Sequence, residues 1–371
     1  MATSITRIVL LMLPLSFTLA ANVPTAQTLN GTYSGLYSQS FNQDFFLGIP
    51  YATPPLVDLR FLPPESLNSS FNGTRVATAY SPHCAGYGGS TYPISEDCLS
   101  LNVVRPAGSF NHTLPVAVFI HGGGFFEGGS ADPRYNLSYI VSQSVNISEP
   151  MIAVSLNYRL SAWGFLYGNL VAGSGNTNVG LRDQRLALHW IQENIAGFGG
   201  DPTKVTIWGQ GAGAISVGLH GTAYGGRDDD LFRAVIMQSG SPMPYRSLNG
   251  TQFFQPLYDQ IVRSVKPNST YAAANLIAGN ASCITAADSL SCLRSASFDD
   301  INAAVNATGP QSWFPVIDGD FLGKSPSQLM QEFNFVQVPM LNGANTDEGA
   351  SFMPSSVSTD DFAEVVKRRL K

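Results

Sequence analysis

Five short runs of β-branched and other apolar residues, at 116–120, 151–156, 205–208, 235–237 and 338–341, leave few architectures open to this chain. Each has the length of a strand and the composition of one buried in a core. Between the second and third runs, Leu181, Leu188, Ile191 and Ile195 recur at helical spacing as far as Gly197, which predicts a helix closed by a glycine cap. Strands that alternate with helices call for an α/β fold, a mostly parallel sheet with helices on both faces. Ligand sites of such sheets lie at the carboxyl ends of the strands, so the residues following each run are the ones to inspect.

No repeat, low-complexity tract or linker divides the 371 residues, and one domain is expected. With 44% hydrophobic and only 12% charged residues, the chain is neither disordered nor a charge-laced coiled coil. A net charge of −6 provides no basic field, so nucleic acid and anionic membrane surfaces are not expected partners.

An apolar stretch at 8–21 follows Arg7 and ends in the small-residue run Thr18-Leu19-Ala20. It is shorter than the roughly 20 residues that cross a bilayer and reads as a secretory signal peptide over residues 1–20, with no membrane span elsewhere. Ten Asn-X-Ser/Thr sequons, at Asn30, Asn68, Asn72, Asn111, Asn136, Asn146, Asn249, Asn268, Asn280 and Asn306, fit passage through the secretory pathway. N-linked glycans are expected on several of them. In that oxidising compartment the four cysteines are expected to form two disulfides. Of the three possible connectivities, the nearest-neighbour one pairs Cys84 with Cys98 and Cys283 with Cys292. The cysteines have neither CxxC spacing nor a nearby histidine pair, so no metal site is expected, and no cofactor either.

Directly after the first run comes His121-Gly122-Gly123-Gly124-Phe125, a glycine turn able to aim its N–H groups at a ligand. After the third run stands Gly209-Gln210-Gly211-Ala212-Gly213, then a helix-like stretch through Leu219. This is the strand, turn and helix of a G-x-S-x-G nucleophile elbow, with glycine where the serine belongs. Further segments read Phe46-Leu47-Gly48-Ile49-Pro50-Tyr51-Ala52, Glu96-Asp97-Cys98-Leu99-Ser100-Leu101-Asn102-Val103, Asn157-Tyr158-Arg159-Leu160, Phe198-Gly199-Gly200-Asp201-Pro202, Met237-Gln238-Ser239-Gly240-Ser241 and Asp347-Glu348-Gly349. In these segments and their order the chain resembles the type-B carboxylesterase and lipase family, which holds fungal secreted esterases and lipases and the cholinesterases. The resemblance implies an α/β-hydrolase fold.

Ester hydrolysis in that family needs a hydroxyl nucleophile, a histidine that takes its proton, an acid that orients the histidine, and N–H donors for the oxyanion. Carried over residue by residue, the nucleophile position is Gly211, the acid is Glu348, and the oxyanion donors are the amides of Gly123, Gly124 and Ala212. The family's elbow usually reads Gly-Glu-Ser-Ala-Gly, so Gln210 and Gly211 both depart from it. No histidine follows Glu348, where the family places its own. Residues 21–371 are therefore read as an α/β-hydrolase domain whose C-terminal part is missing. The five histidines present, His83, His112, His121, His189 and His220, are not expected to act as the base, and Ser216, Ser239 and Ser241 are placed off the strained turn.

The loop between Cys84 and Cys98 is short for the family, which implies an open, esterase-like site for small soluble carboxylic esters. Phe125 and Phe126 either line an acyl pocket or pack in the core, and a short amphipathic helix is expected at 358–370. The expectation is a secreted carboxylesterase-family protein that takes a small ester or carboxylate and hydrolyses nothing. One alternative is an active secreted ester hydrolase of which this sequence is a truncated or defective version. Another is a non-catalytic module for adhesion or partner binding.

Overall fold

All five apolar runs fall on strands of one sheet in the computed structural model, the run at 338–341 only with its last two residues; the structure describes residues 23–89, 91–242, 250–275 and 281–348. The expected leader, the sequons at Asn249 and Asn280 and the expected helix at 358–370 lie outside the described residues. Among the described residues the sheet has eight strands: β1 (Leu36–Ser38), β2 (Gln43–Pro50), β3 (Ser100–Pro106), β4 (Leu114–Ile120), β5 (Ile152–Leu156), β6 (Gly200–Gln210), β7 (Ala234–Gln238) and β8 (Met340–Gly343). Their order is β8-β7-β6-β4-β5-β3-β2-β1. The pairs from β8 through β5 are parallel, whereas β3, β2 and β1 extend the other edge antiparallel. The carboxyl ends of five strands thus share one edge of the molecule.

Side chains alternate across this sheet and meet helices on both faces. Val118, Ile120, Ile152, Val154 and Ile207 face the larger core, together with Leu181, Leu188 and Ile191 of α2 (Val179–Asn194) and Val217 of α3 (Ala212–Thr222). Phe119, Ala153 and Val104 face the opposite way, against Val141 of α1 (Ser138–Asn146). Each fully buried aliphatic side chain of this kind contributes roughly 2 kcal/mol of transfer free energy.

The glycine cap falls elsewhere than the helical spacing predicts. Helix α2 stops at Asn194 and tightens into a 3₁₀ turn, Ile195–Phe198, and the left-handed residue that closes it is Gly199, at φ +86°. Gly197 has a different task. A Cβ there would run into the Gln27 carbonyl oxygen, so this glycine lets the strand Thr25–Thr28 pass close to the turn.

Both expected disulfides are formed, Cys84 to Cys98 and Cys283 to Cys292. The two disulfide regions meet at Arg60. Its guanidinium binds both oxygens of Glu96, at 2.6 and 2.7 Å, and donates to the carbonyls of Leu293, Arg294 and Ala296 at the end of α4 (Ser289–Ser295). A cation there also complements the negative end of the helix dipole.

Candidate functional site

The segment after β4 turns back through three glycines with positive φ, Gly123 (+107°), Gly124 (+61°) and Gly128 (+100°). The amides of Phe126 and Glu127 both donate to the Gly123 carbonyl, at 3.1 and 3.0 Å, which leaves the amides of Gly123 and Gly124 on the outside of the turn. His121 is the buried anchor of this turn. Its ring stacks on Tyr158 at 4.5 Å, the Tyr158 hydroxyl donates to the His121 carbonyl at 3.0 Å, and Nδ1 contacts the Gly122 carbonyl at 2.8 Å. Burial lowers its pKa to about 4, so the ring is neutral near pH 7.

From behind, the disulfide loop braces the same turn. Tyr87 donates its amide to the Phe126 carbonyl at 2.9 Å and receives the Trp163 indole N–H on its hydroxyl at 3.0 Å. The Glu127 side chain fills the space beside Gly88. Phe125 is core packing: it is buried and meets Phe165 edge-on at 5.2 Å. Phe126 is only partly buried and lays its ring beside Gly124.

Between β6 and α3 the whole reversal falls on Gly211, at φ +57° and ψ −120°, a conformation that strains any residue with a side chain. Its N–H donates to the Gln238 carbonyl at 2.9 Å, and its own carbonyl accepts from Ile215 at 3.0 Å. The glycines around it are fixed by contact. A Cβ on Gly209 would overlap the Gly213 backbone, one on Gly213 would overlap the Ile120 carbonyl oxygen, and one on Gly240 would lie 2.6 Å from the Gly211 carbonyl oxygen. A Cβ on Gly211 would have no atom within 4 Å. The elbow therefore keeps the geometry that presents a side chain to the open edge, at a residue with none to present.

Opposite the glycine turn, Ala212 opens α3, an eleven-residue helix whose first amides point toward the same edge. Among the described residues the amides of Gly123, Gly124 and Ala212 have no hydrogen-bond acceptor. Glu348 follows β8, two strands from the elbow. The Ser239 hydroxyl and then the Asn345 amide, the latter at 2.7 Å, hold its carboxyl below the usual carboxylate range. Ser239 and Asn345 were not among the expected site residues.

Ser239 lies off the elbow, at a strained position of its own. It has φ +56° directly after β7, and its amide donates to the Gly343 carbonyl at 2.8 Å. The strand-end rule was the available signal, because Ser239 follows an apolar run as Gly211 does. Ser216 and His220 lie behind the elbow, fully buried and joined through Gln184, which donates to Ser216 Oγ at 3.1 Å and meets His220 Nε2 at 2.9 Å. Burial lowers the His220 pKa to about 3. His83 is buried flat against Tyr92 at 4.7 Å, His189 is exposed on α2, and His112 is exposed in the loop before β4. Among the described residues, none of the five histidine rings hydrogen-bonds to residues 209–213.

A cradle of backbone donors at the edge of such a sheet can bind a carboxylate, or a carbonyl oxygen that gains negative charge. A family model described as the carboxylesterase family matches residues 20–371. Lipase 4 of Diutina rugosa is 38% identical over 383 residues, covering 93% of this chain and 65% of that lipase. A secreted triacylglycerol lipase of Gibberella zeae is 36% identical, covering 92% and 61%. Among solved structures, Aspergillus niger EstA superposes with a TM-score of 0.78 at 33% identity, over 94% of this chain and 65% of that one. The chain thus spans slightly less than two thirds of the length of these relatives.

Proposed function

Because this chain belongs to the carboxylesterase family, we propose that it retains the family's acyl-binding edge without the covalent step that hydrolyses esters. The observation that carries this reading is Gly211: the elbow is preserved in its backbone, with open space where the nucleophile's side chain would stand. Without a hydroxyl at that point no acyl ester can form on the elbow, whatever base is present. The amides of Gly123, Gly124 and Ala212 then serve as a binding cradle for a short carboxylate or the carbonyl of a small ester. The positive end of α3 adds to its preference for anions. Gly211, Glu348 and these three amides are the proposed site.

The secreted fungal lipases among the relatives support an extracellular location, and no described helix is long and apolar enough to cross a membrane. We place the protein outside the cell, with residues 1–20 as its leader and N-linked glycans on its surface.

Titration with butyrate, followed by amide chemical shifts, tests the cradle. Millimolar affinity, about 4 kcal/mol, is expected, with the largest shifts at Gly123, Gly124 and Ala212 and weaker binding of neutral butyramide. Equal binding of butyrate and butyramide, or shifts confined to other residues, would refute it.

A further inference from the structure

The loop that joins β3 to β4 lies at the amino end of β4, the pole of the sheet opposite the elbow. It borders a cleft of about 250 Å³ lined by Arg105, Ser109, Phe110, His112, Leu114 and Phe198. That volume is below the roughly 300 Å³ at which pockets for drug-sized ligands begin, and it suits a single sugar ring. Asn111, in the sequon Asn111-His112-Thr113, sits between two of the lining residues.

We propose that Asn111 is N-glycosylated and that its first N-acetylglucosamine beds in this cleft. Asn111 is exposed, and its side chain has no partner among the described residues. Asn30 differs: its amide nitrogen donates to the carbonyls of Leu67 and Ser69, at 2.8 and 3.1 Å, and glycosylation would remove one of those two protons. Phe110, 39% exposed, offers an apolar face for the C–H surface of a sugar. Arg105 is held in place by Asp44 and by the Phe198 carbonyl, at 3.0 and 3.1 Å, which leaves its other Nη2 nitrogen as a donor for the acetamide oxygen. The transfer joins Asn111 Nδ2 to the anomeric carbon of the sugar, expels the lipid-linked diphosphate that carried it, and releases one amide proton. A glycan at this pole leaves the elbow unobstructed.

The inference rests on the extracellular reading, and glycopeptide mass spectrometry of the full chain secreted by a eukaryotic host separates the two. Asn111 is expected to be occupied. Peptide N-glycanase should release its glycan from the native protein about tenfold more slowly than the glycan of Asn306, which is exposed on the helix Phe298–Ala307. Phe110→Ala, a change at a surface residue, should abolish that difference, as should prior denaturation. An unoccupied Asn111 beside occupied sequons, equal native release rates, or protection that survives Phe110→Ala would overturn the inference alone. Absence of glycan from every sequon would overturn the extracellular reading with it.

Discussion

Gly209, Gly211 and Gly213 share one residue type for two physical reasons. The outer two are glycine because backbone from the facing segments occupies the place of a Cβ, whereas Gly211 is held only by its dihedral angles. Gly211→Ser should therefore fold, at a cost of about 1 to 3 kcal/mol for backbone strain. Gly213→Ala should cost more than about 3 kcal/mol, because the Ile120 carbonyl must move. Urea unfolding of the two variants checks the ordering, and equal losses would contradict it. At the acid position, the hydroxyl of Ser239 is the main influence that lowers the Glu348 pKa. Ser239→Ala should raise it, measurable by carbon-detected NMR titration of the carboxyl. An unchanged midpoint would mean that Asn345 alone sets it.

The helices and strands were legible in the sequence wherever local apolar pattern decides them, and illegible where a tertiary contact does. The run at 205–208 marks only the second half of β6. The first half, Asp201-Pro202-Thr203-Lys204, is polar and lies where the pairing with β4 is irregular between Gly200 and Val205. The same contrast separates Gly197 from Gly199: helical spacing points to the former, and only the nearby strand explains why the cap is the latter. Glu348 and the glycine turn were legible as motifs. Ser239 was legible only as a strand end, because its contact with Glu348 depends on a neighbouring strand.

Arg60 is another element-scale case, for no sequence pattern links it to α4. Arg60→Ala would strand the Glu96 carboxylate and remove a donor from three carbonyls, at a cost of about 3 to 5 kcal/mol. Arg60→Lys should rescue little, since an ammonium cannot span the two-pronged contact with Glu96 and the helix end together. Full rescue by lysine, in thermal unfolding, would contradict this bracing role between the disulfide loop and α4.

For the whole molecule, the buried histidines set the response to acid. His121 and His220 are neutral in the folded protein, with burial lowering their pKa values to about 4 and about 3, while both titrate near 6.5 when unfolded. Below pH 6.5 the unfolded chain binds more protons, so stability present above that pH is lost as pH falls toward 4. Each fully shifted group contributes a slope of about 1.4 kcal/mol per pH unit. Urea midpoints should thus drop between pH 7 and 4.5, and a flat profile would contradict the buried, neutral state of both rings.

The same edge of the sheet that gathers the glycine turn, Gly211, Ser239 and Glu348 is where an acyl-enzyme would form, so the rapid phase of ester turnover reports most directly on what Gly211 has removed. Purified protein at micromolar concentration, mixed with excess p-nitrophenyl butyrate and followed at the nitrophenolate absorbance, should show no burst and a linear rate equal to that of heat-denatured protein. A burst approaching one equivalent per chain would mean that a nucleophile acylates despite Gly211, and would contradict the proposal that this site binds acyl groups without bonding to them.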